Sequence, residues 1–246
     1  MVTIDARGVY YADLNKLVKQ ALADGAQEII LKNVNGQRYI GDGLQGEQKI
    51  TIEGVPGNDL AAYMDGLELA VKGNAQDGVA NTMNSGTVII HGDAGDTAGY
   101  AMRGGEIFIK GSVGYRVGIH MKEYLDKVPV IVVGGKAGDF FGEYMAGGIL
   151  ILLGLGLEDE QDIVGNYCGT GMHGGVMFIR GQVAEYQLGK EVKVVELTEE
   201  DRNLVEGYVR RFAGYFKMDA GAILEVPFRK LIPYNKRPYG NLYAKS

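Results

Sequence analysis

Cys168 and His173 stand five residues apart, and a thiol near an imidazole could supply a nucleophile and its base. The chain has three histidines, His91, His120 and His173. Three convergent imidazoles would suit zinc. Asn58, Asp77, Asp96, Asp139 and Asn166 recur at a regular interval, interrupted by Tyr115, and recurrent corner carboxylates raise the possibility of calcium. Gly92, Gly95 and Gly99, and again Gly135, Gly138 and Gly142, have a spacing that resembles a phosphate-cradling loop. Arg229, Lys230, Lys236 and Arg237 form a basic cluster that could meet an anionic partner.

Which of these chemistries is available depends on the elements that hold the residues. Gly54, Gly73, Gly92 and Gly111 are each 19 residues apart, as are Gly135 and Gly154. The intervals Gly111–Gly135 and Gly154–Gly181 read as one repeat each with an insertion, KEYLDKVP at 122–129 and the acidic LEDEQDIV at 157–164. A fixed period near 20 residues is the mark of a solenoid, whose units bury their apolar faces on their neighbours. Ten places after each anchor stand Met64, Met83, Met102, Met121 and Met145, and Met172 takes the same place when the last repeat is counted back from Gly181. The sixth place reads Leu60, Val79, Ala98, Val117, Phe141 and Cys168. Places fifteen and seventeen are apolar, as in Val88 and Ile90 or Ile107 and Ile109, and period-two alternation is a strand. The Asp/Asn column, at place four, marks a corner, because these residues tolerate left-handed backbone. Glycine makes up 39 of 246 residues, which excludes a helical repeat, since each helix-interior glycine costs about 1 kcal/mol. The expected fold is an all-β solenoid, a parallel β-helix of about seven coils with short flanking α-helices.

This frame reassigns the candidates. Cys168 shares the column of Leu60 and Phe141 and is expected to be a core thiol, so no catalytic residue is assigned. The histidines fall in three different columns, so stacking does not converge them and no metal site is assigned. Calcium-binding β-rolls use a nine-residue repeat, unlike this one. The glycine triplets lie between strands rather than between a strand and a helix, so no cofactor site is assigned. The tail cluster Arg229, Lys230, Lys236 and Arg237 remains as the candidate partner interface.

Three regions follow: an N-terminal strand and helix cap (1–35), the β-helix (36–190), and a C-terminal strand, helix and extended basic tail (191–246). A helix over 13–24 is expected to cover the first coil, and a strand is expected at 28–34. The degenerate coil 36–54 ends in a strand at 49–53. A strand at 193–197 is followed by a helix at 199–214, started by Thr198 and Asp201 in a capping-box pattern. The outward strand position is also apolar (Ala70, Ile89, Phe108, Ile151, Phe178), so either a terminal helix or a partner must cover it. Residues 223–243 read as extended and either wrap the solenoid or dock on another protein chain. The net charge of −6 gives no footprint for nucleic acid, and no run is long and apolar enough for a membrane span. No signal-peptide core is seen, and the default location is cytoplasmic.

The coils GDAGDTAGYAMRGGEIFIKG, GKAGDFFGEYMAGGILILLG and GNYCGTGMHGGVMFIRG resemble the C-terminal Gly-x-Gly-x-Gly (GXGXG) domain of glutamate synthase. The stretches NVNGQRYIGDGL (34–44) and FRKLIPYNKRPYGNLYA (228–244) resemble the separate domain 3 subunit of the archaeal-type split enzyme. The glycine repeats are also similar to those of the related glycine-repeat subunit of formylmethanofuran dehydrogenase. The resemblance implies a right-handed β-helix without catalytic residues of its own. It implies a structural subunit in glutamate biosynthesis and nitrogen metabolism, organising a glutaminase and an FMN/Fe–S synthase subunit that together make glutamate from glutamine and 2-oxoglutarate. FMN and Fe–S would sit on those partners, and one cysteine here cannot hold a cluster. A homo-oligomer is open, and a free-standing β-helix carbohydrate enzyme is the alternative from another class.

Overall fold

The computed structural model describes residues 1–158 and 161–234. The chain opens with strand β1 (Val2–Asp5), helix α1 (Tyr11–Ala23) and strands β2 (Glu28–Asn35) and β3 (Lys49–Val55). The repeats supply β4 (Asp65–Val71), β5 (Ser85–Ile90), β6 (Glu106–Ile109), β7 (Val130–Val133), β8 (Ala146–Leu152) and β9 (Gly174–Arg180). Strand β10 (Val192–Val195), helices α2 (Glu199–Phe216) and α3 (Ala220–Leu224) and strand β11 (Phe228–Pro233) follow. The strands form one sheet in which β1 to β9 pair in sequence order, all parallel. The steps from β3 to β9 are six regular solenoid turns, one fewer than the expected seven. The degenerate stretch 36–54 makes an irregular turn, with a register shift between Leu31 and Val34.

Register explains the repeat. Leu69, Val88, Ile107, Ile131, Leu150 and Met177 lie side by side across β4–β9, as do Val71, Ile90, Ile109, Val133, Leu152 and Ile179. All are fully buried, as are the six column methionines. Unbranched thioethers fill the space between the strand ladders and the Leu60–Cys168 column on the opposite wall. The interior is therefore a packed core.

The outward strand face is covered by the chain itself. Val205, Val209, Phe212 and Phe216 of α2 pack on Ile89, Phe108, Val132, Ile151 and Phe178, forming a second core. Burying each such side chain stabilises by roughly 1.5–3 kcal/mol. Thr198 caps α2, accepting from the Asp201 amide at 3.2 Å while the Asp201 carboxylate accepts from the Thr198 amide at 2.8 Å. Midway along, Arg211 forks onto Glu106 of β6 and lies over the Phe108 ring at 5.1 Å. At the other end of the solenoid, α1 turns Leu14 and Val18 onto the first coil's core beside Ile29 and Leu31.

The C-terminal segment departs from expectation. Residues 220–224 are helical, and β11 enters the sheet antiparallel between β9 and β10. Among the described residues β10 pairs into the sheet through β11, while its Val192 packs directly against the solenoid core. Leu231 is the reason: it fills the core end, fully buried, beside Met177. Up to Tyr234 the tail wraps its own solenoid.

Candidate functional site: an aromatic arc on the turn face

The Asp/Asn column does mark a corner, but not through left-handed backbone. None of its members has positive φ. Instead each carboxylate accepts a backbone N–H from the next turn: Tyr115 donates to Asp96 at 2.8 Å, Asp96 to Asp77 at 2.9 Å and Asn166 to Asp139 at 2.8 Å. A second such ladder runs Lys136 to Ser112 to Asp93 to Asn74. These oxygens serve the stack and are not assembled around an ion. Among the described residues no group of three His, Cys, Asp or Glu side chains could hold a metal.

The left-handed positions lie just beyond that corner, at places five, seven and nine of the repeat. They bend the chain tightly around the methionine column. At place five stand Asp59, Thr97, Arg116, Phe140 and Tyr167, with φ between 56° and 62°. At place nine stand Tyr63, Thr82, Ala101, His120 and Tyr144, with φ between 49° and 56°. Gly78 and Gly171 occupy the same two columns in other turns, so glycine is compatible there. A non-glycine residue in this region costs about 1–2 kcal/mol of backbone energy. The later turns nevertheless carry large aromatic and cationic side chains, and backbone strain of this kind concentrates at functional surfaces.

Those side chains form two stacks on the outer surface. Phe140 and Tyr167 stack at 5.0 Å and 13° between planes, with the Arg116 guanidinium over Phe140 at 4.6 Å. Arg116 also donates to Glu143 at 2.9 Å, which fixes its orientation. His120 and Tyr144 stack at 5.4 Å and 10°, and Tyr100 meets His120 edge-on at 5.9 Å. Tyr63, Tyr115 and Tyr167 are each more than half exposed. The insertion 122–129 adds exposed Tyr124 and Leu125, with Arg103 over the Tyr124 ring. Tyrosine and arginine on a rigid frame are the residue types enriched at the centres of protein interfaces. Sequence reasoning passed over this arc because it read the repeat for inward columns; the signal was Tyr, Phe, His and Arg in columns that glycine also occupies.

The sequence-derived candidates fare differently. Lys230 is committed inside the protein: it bonds both carboxylate oxygens of Asp201 at 2.7 Å and ties β11 to the start of α2. Arg229 reaches Gln182 at 3.1 Å and remains at the surface. Lys236 and Arg237 lie outside the described residues. Cys168 is buried, and burial pushes its thiol up to about 12, which makes it inert at neutral pH. His173 turns Nδ1 toward the Gly171 carbonyl, not toward the thiol. A surface groove of about 400 Å³ beside α2 is lined by Glu196, Arg202, Glu206, Glu225 and apolar residues.

Residues 24–233 match the family described as the GXGXG motif. The chain belongs to the GXGXG motif family. It is also 48% identical to an uncharacterised protein of Methanocaldococcus jannaschii, over 99% of this chain and 96% of that one. Among the described residues no helix is long and apolar enough to cross a membrane.

Proposed function

We propose that this GXGXG protein is a non-catalytic structural subunit of a glutamate synthase complex. It holds a glutaminase and an FMN/Fe–S synthase in register, so that ammonia released by one is used by the other. The observation that carries this reading is that the solenoid interior is filled by the methionine and aliphatic ladders while strained aromatic residues crowd one outer arc. A scaffold needs a rigid frame and a docking face; the packed interior supplies the frame, and the aromatic arc supports the reading of a docking face. Membership of the GXGXG family supports the choice of complex.

The test is affinity purification of the tagged chain from cells that express it, followed by identification of the recovered proteins. Recovery of a glutaminase together with a flavin and Fe–S synthase supports the proposal. Recovery of a pterin–metal protein instead would assign the chain to a formylmethanofuran dehydrogenase. Turnover of a carbohydrate by the purified chain alone would overturn both.

A further inference from the structure

A second surface feature lies away from the aromatic arc, at the place just after each strand. Lys72, His91 and Lys110 occupy this position in three successive turns, one after each of β4, β5 and β6. Neighbouring turns are about 4.8 Å apart, so the column runs about 10 Å from Lys72 to Lys110. Lys72 and Lys110 flank His91 from the two adjacent turns. Among the described residues no carboxylate lies within ion-pairing distance of either lysine. This is notable on a chain of net charge −6. The Lys72 ammonium sits 3.1 Å from His91 Nε2, which is possible only if the imidazole is neutral and accepts the hydrogen bond.

The surroundings of His91 are defined. Lys72 and Lys110 face it from the adjacent turns, and Phe216 of α2 meets its ring edge-on at 5.3 Å. Lys217 follows Phe216 in the chain. Glu53 precedes Lys72 in the column but forms no ion pair with it, and the Asp93 carboxylate is occupied by the Ser112 amide. Burial first, then Lys72 and Lys110, holds the imidazole below its usual pKa.

We propose that Lys72, His91 and Lys110 form a docking strip for an extended acidic segment of a partner protein, and that docking puts a proton on His91. The shape favours a segment over a small anion. The strip is linear and open, and lines none of the described grooves. An extended chain places side chains of one face about 6.6 Å apart, so three alternate carboxylates, about 13 Å from end to end, cover the strip. A carboxylate beside His91 supplies the charge that its surroundings lack, so the imidazole becomes a donor and Lys72 turns to the ligand.

The experiment titrates the full chain with fluorescein-labelled hexaglutamate at low ionic strength, with hexaglutamine as control. Expected are saturable binding of hexaglutamate alone and an affinity about tenfold weaker in the K72Q/K110Q variant. A K19Q/K32Q variant, with two exposed lysines removed elsewhere, binds as the parent does. The affinity rises about threefold or more from about pH 8 to about pH 5.5, and H91N abolishes that rise without weakening binding at the higher pH. The His91 ring proton, followed by NMR, titrates at higher pH with peptide than without. Equal weakening by both double variants would show diffuse attraction and overturn the proposal. So would a pH dependence that survives H91N, or inorganic phosphate binding more tightly than the peptide.

Discussion

Replacing Phe140 and Tyr167 by glycine separates a docking role from a structural one. Each residue sits at positive φ, and glycine relieves about 1–2 kcal/mol of backbone cost there. Against this stand a loss of about 0.5–1 kcal/mol per site in chain entropy and about 0.5–1.5 kcal/mol for the Phe140–Tyr167 stack. Tyr167 is 57% exposed and surrenders little burial, whereas half-buried Phe140, with Arg116 over its ring, surrenders about 1 kcal/mol more. The terms nearly cancel, and F140G/Y167G should unfold in denaturant within about 1.5 kcal/mol of the parent. Recovery of the partner proteins in the affinity purification should nevertheless fall steeply, because truncating a central aromatic anchor costs about 2 kcal/mol or more. A loss of more than about 3 kcal/mol in stability with partner recovery intact would refute the reasoning. It would mean that the aromatics are there to hold the turns together.

Truncating the interior column by Met102→Ala should destabilise by about 2–5 kcal/mol in chemical denaturation, because the site is fully enclosed by neighbouring turns. Cys168 should resist a thiol reagent at neutral pH in the folded protein and react fully once it is denatured. Asp201 is also a pH sensor of stability. Burial alone would raise its carboxyl pKa, but Lys230 and Thr198 outweigh burial and hold it below the usual value. A carboxylate depressed in the folded state stabilises above its unfolded pKa, near 3.8, and that contribution is lost as pH falls through the depressed value. Stability should therefore drop in that acid range, and the drop should shrink in D201N. Asp96→Ala should cost about 0.5–1.5 kcal/mol in denaturant melts, because the Tyr115 amide exchanges its carboxylate acceptor for water.

The sequence carried the solenoid because identical columns must stack. Methionine every 19 residues has no explanation in a single strand or helix, but it does in a rung. The two flanking helices were legible for the usual reason, an apolar face with a start signal at Thr198. The reversed path of β11 was not legible, because its alternation in FRKLIP fits a parallel or an antiparallel neighbour equally well. Only Leu231 beside Met177 decides it. The corner column was read correctly as a corner with the wrong cause: Asp77 and Asp96 act through their oxygens, and the backbone bends one residue later. The candidate interface residues are the least legible. Lys230 looked free in the sequence because its partner Asp201 is 29 residues away and lies across a helix. The aromatic arc was hidden by being spread over several turns, one or two residues in each.

Strand β11 has a consequence for the order of assembly. Its slot lies between β9 and β10, two strands that precede it in the chain, and α2 and α3 link β10 to it. Parallel turns can zip up one upon another from either neighbour, but this last strip slides in crosswise and locks what came before. Because it runs against the grain of the other rungs and carries β10 on its far side, it separates the outer edge of the sheet from the last regular turn. The far end of the molecule is thereby given a full stop, written by a late segment rather than by the repeats themselves.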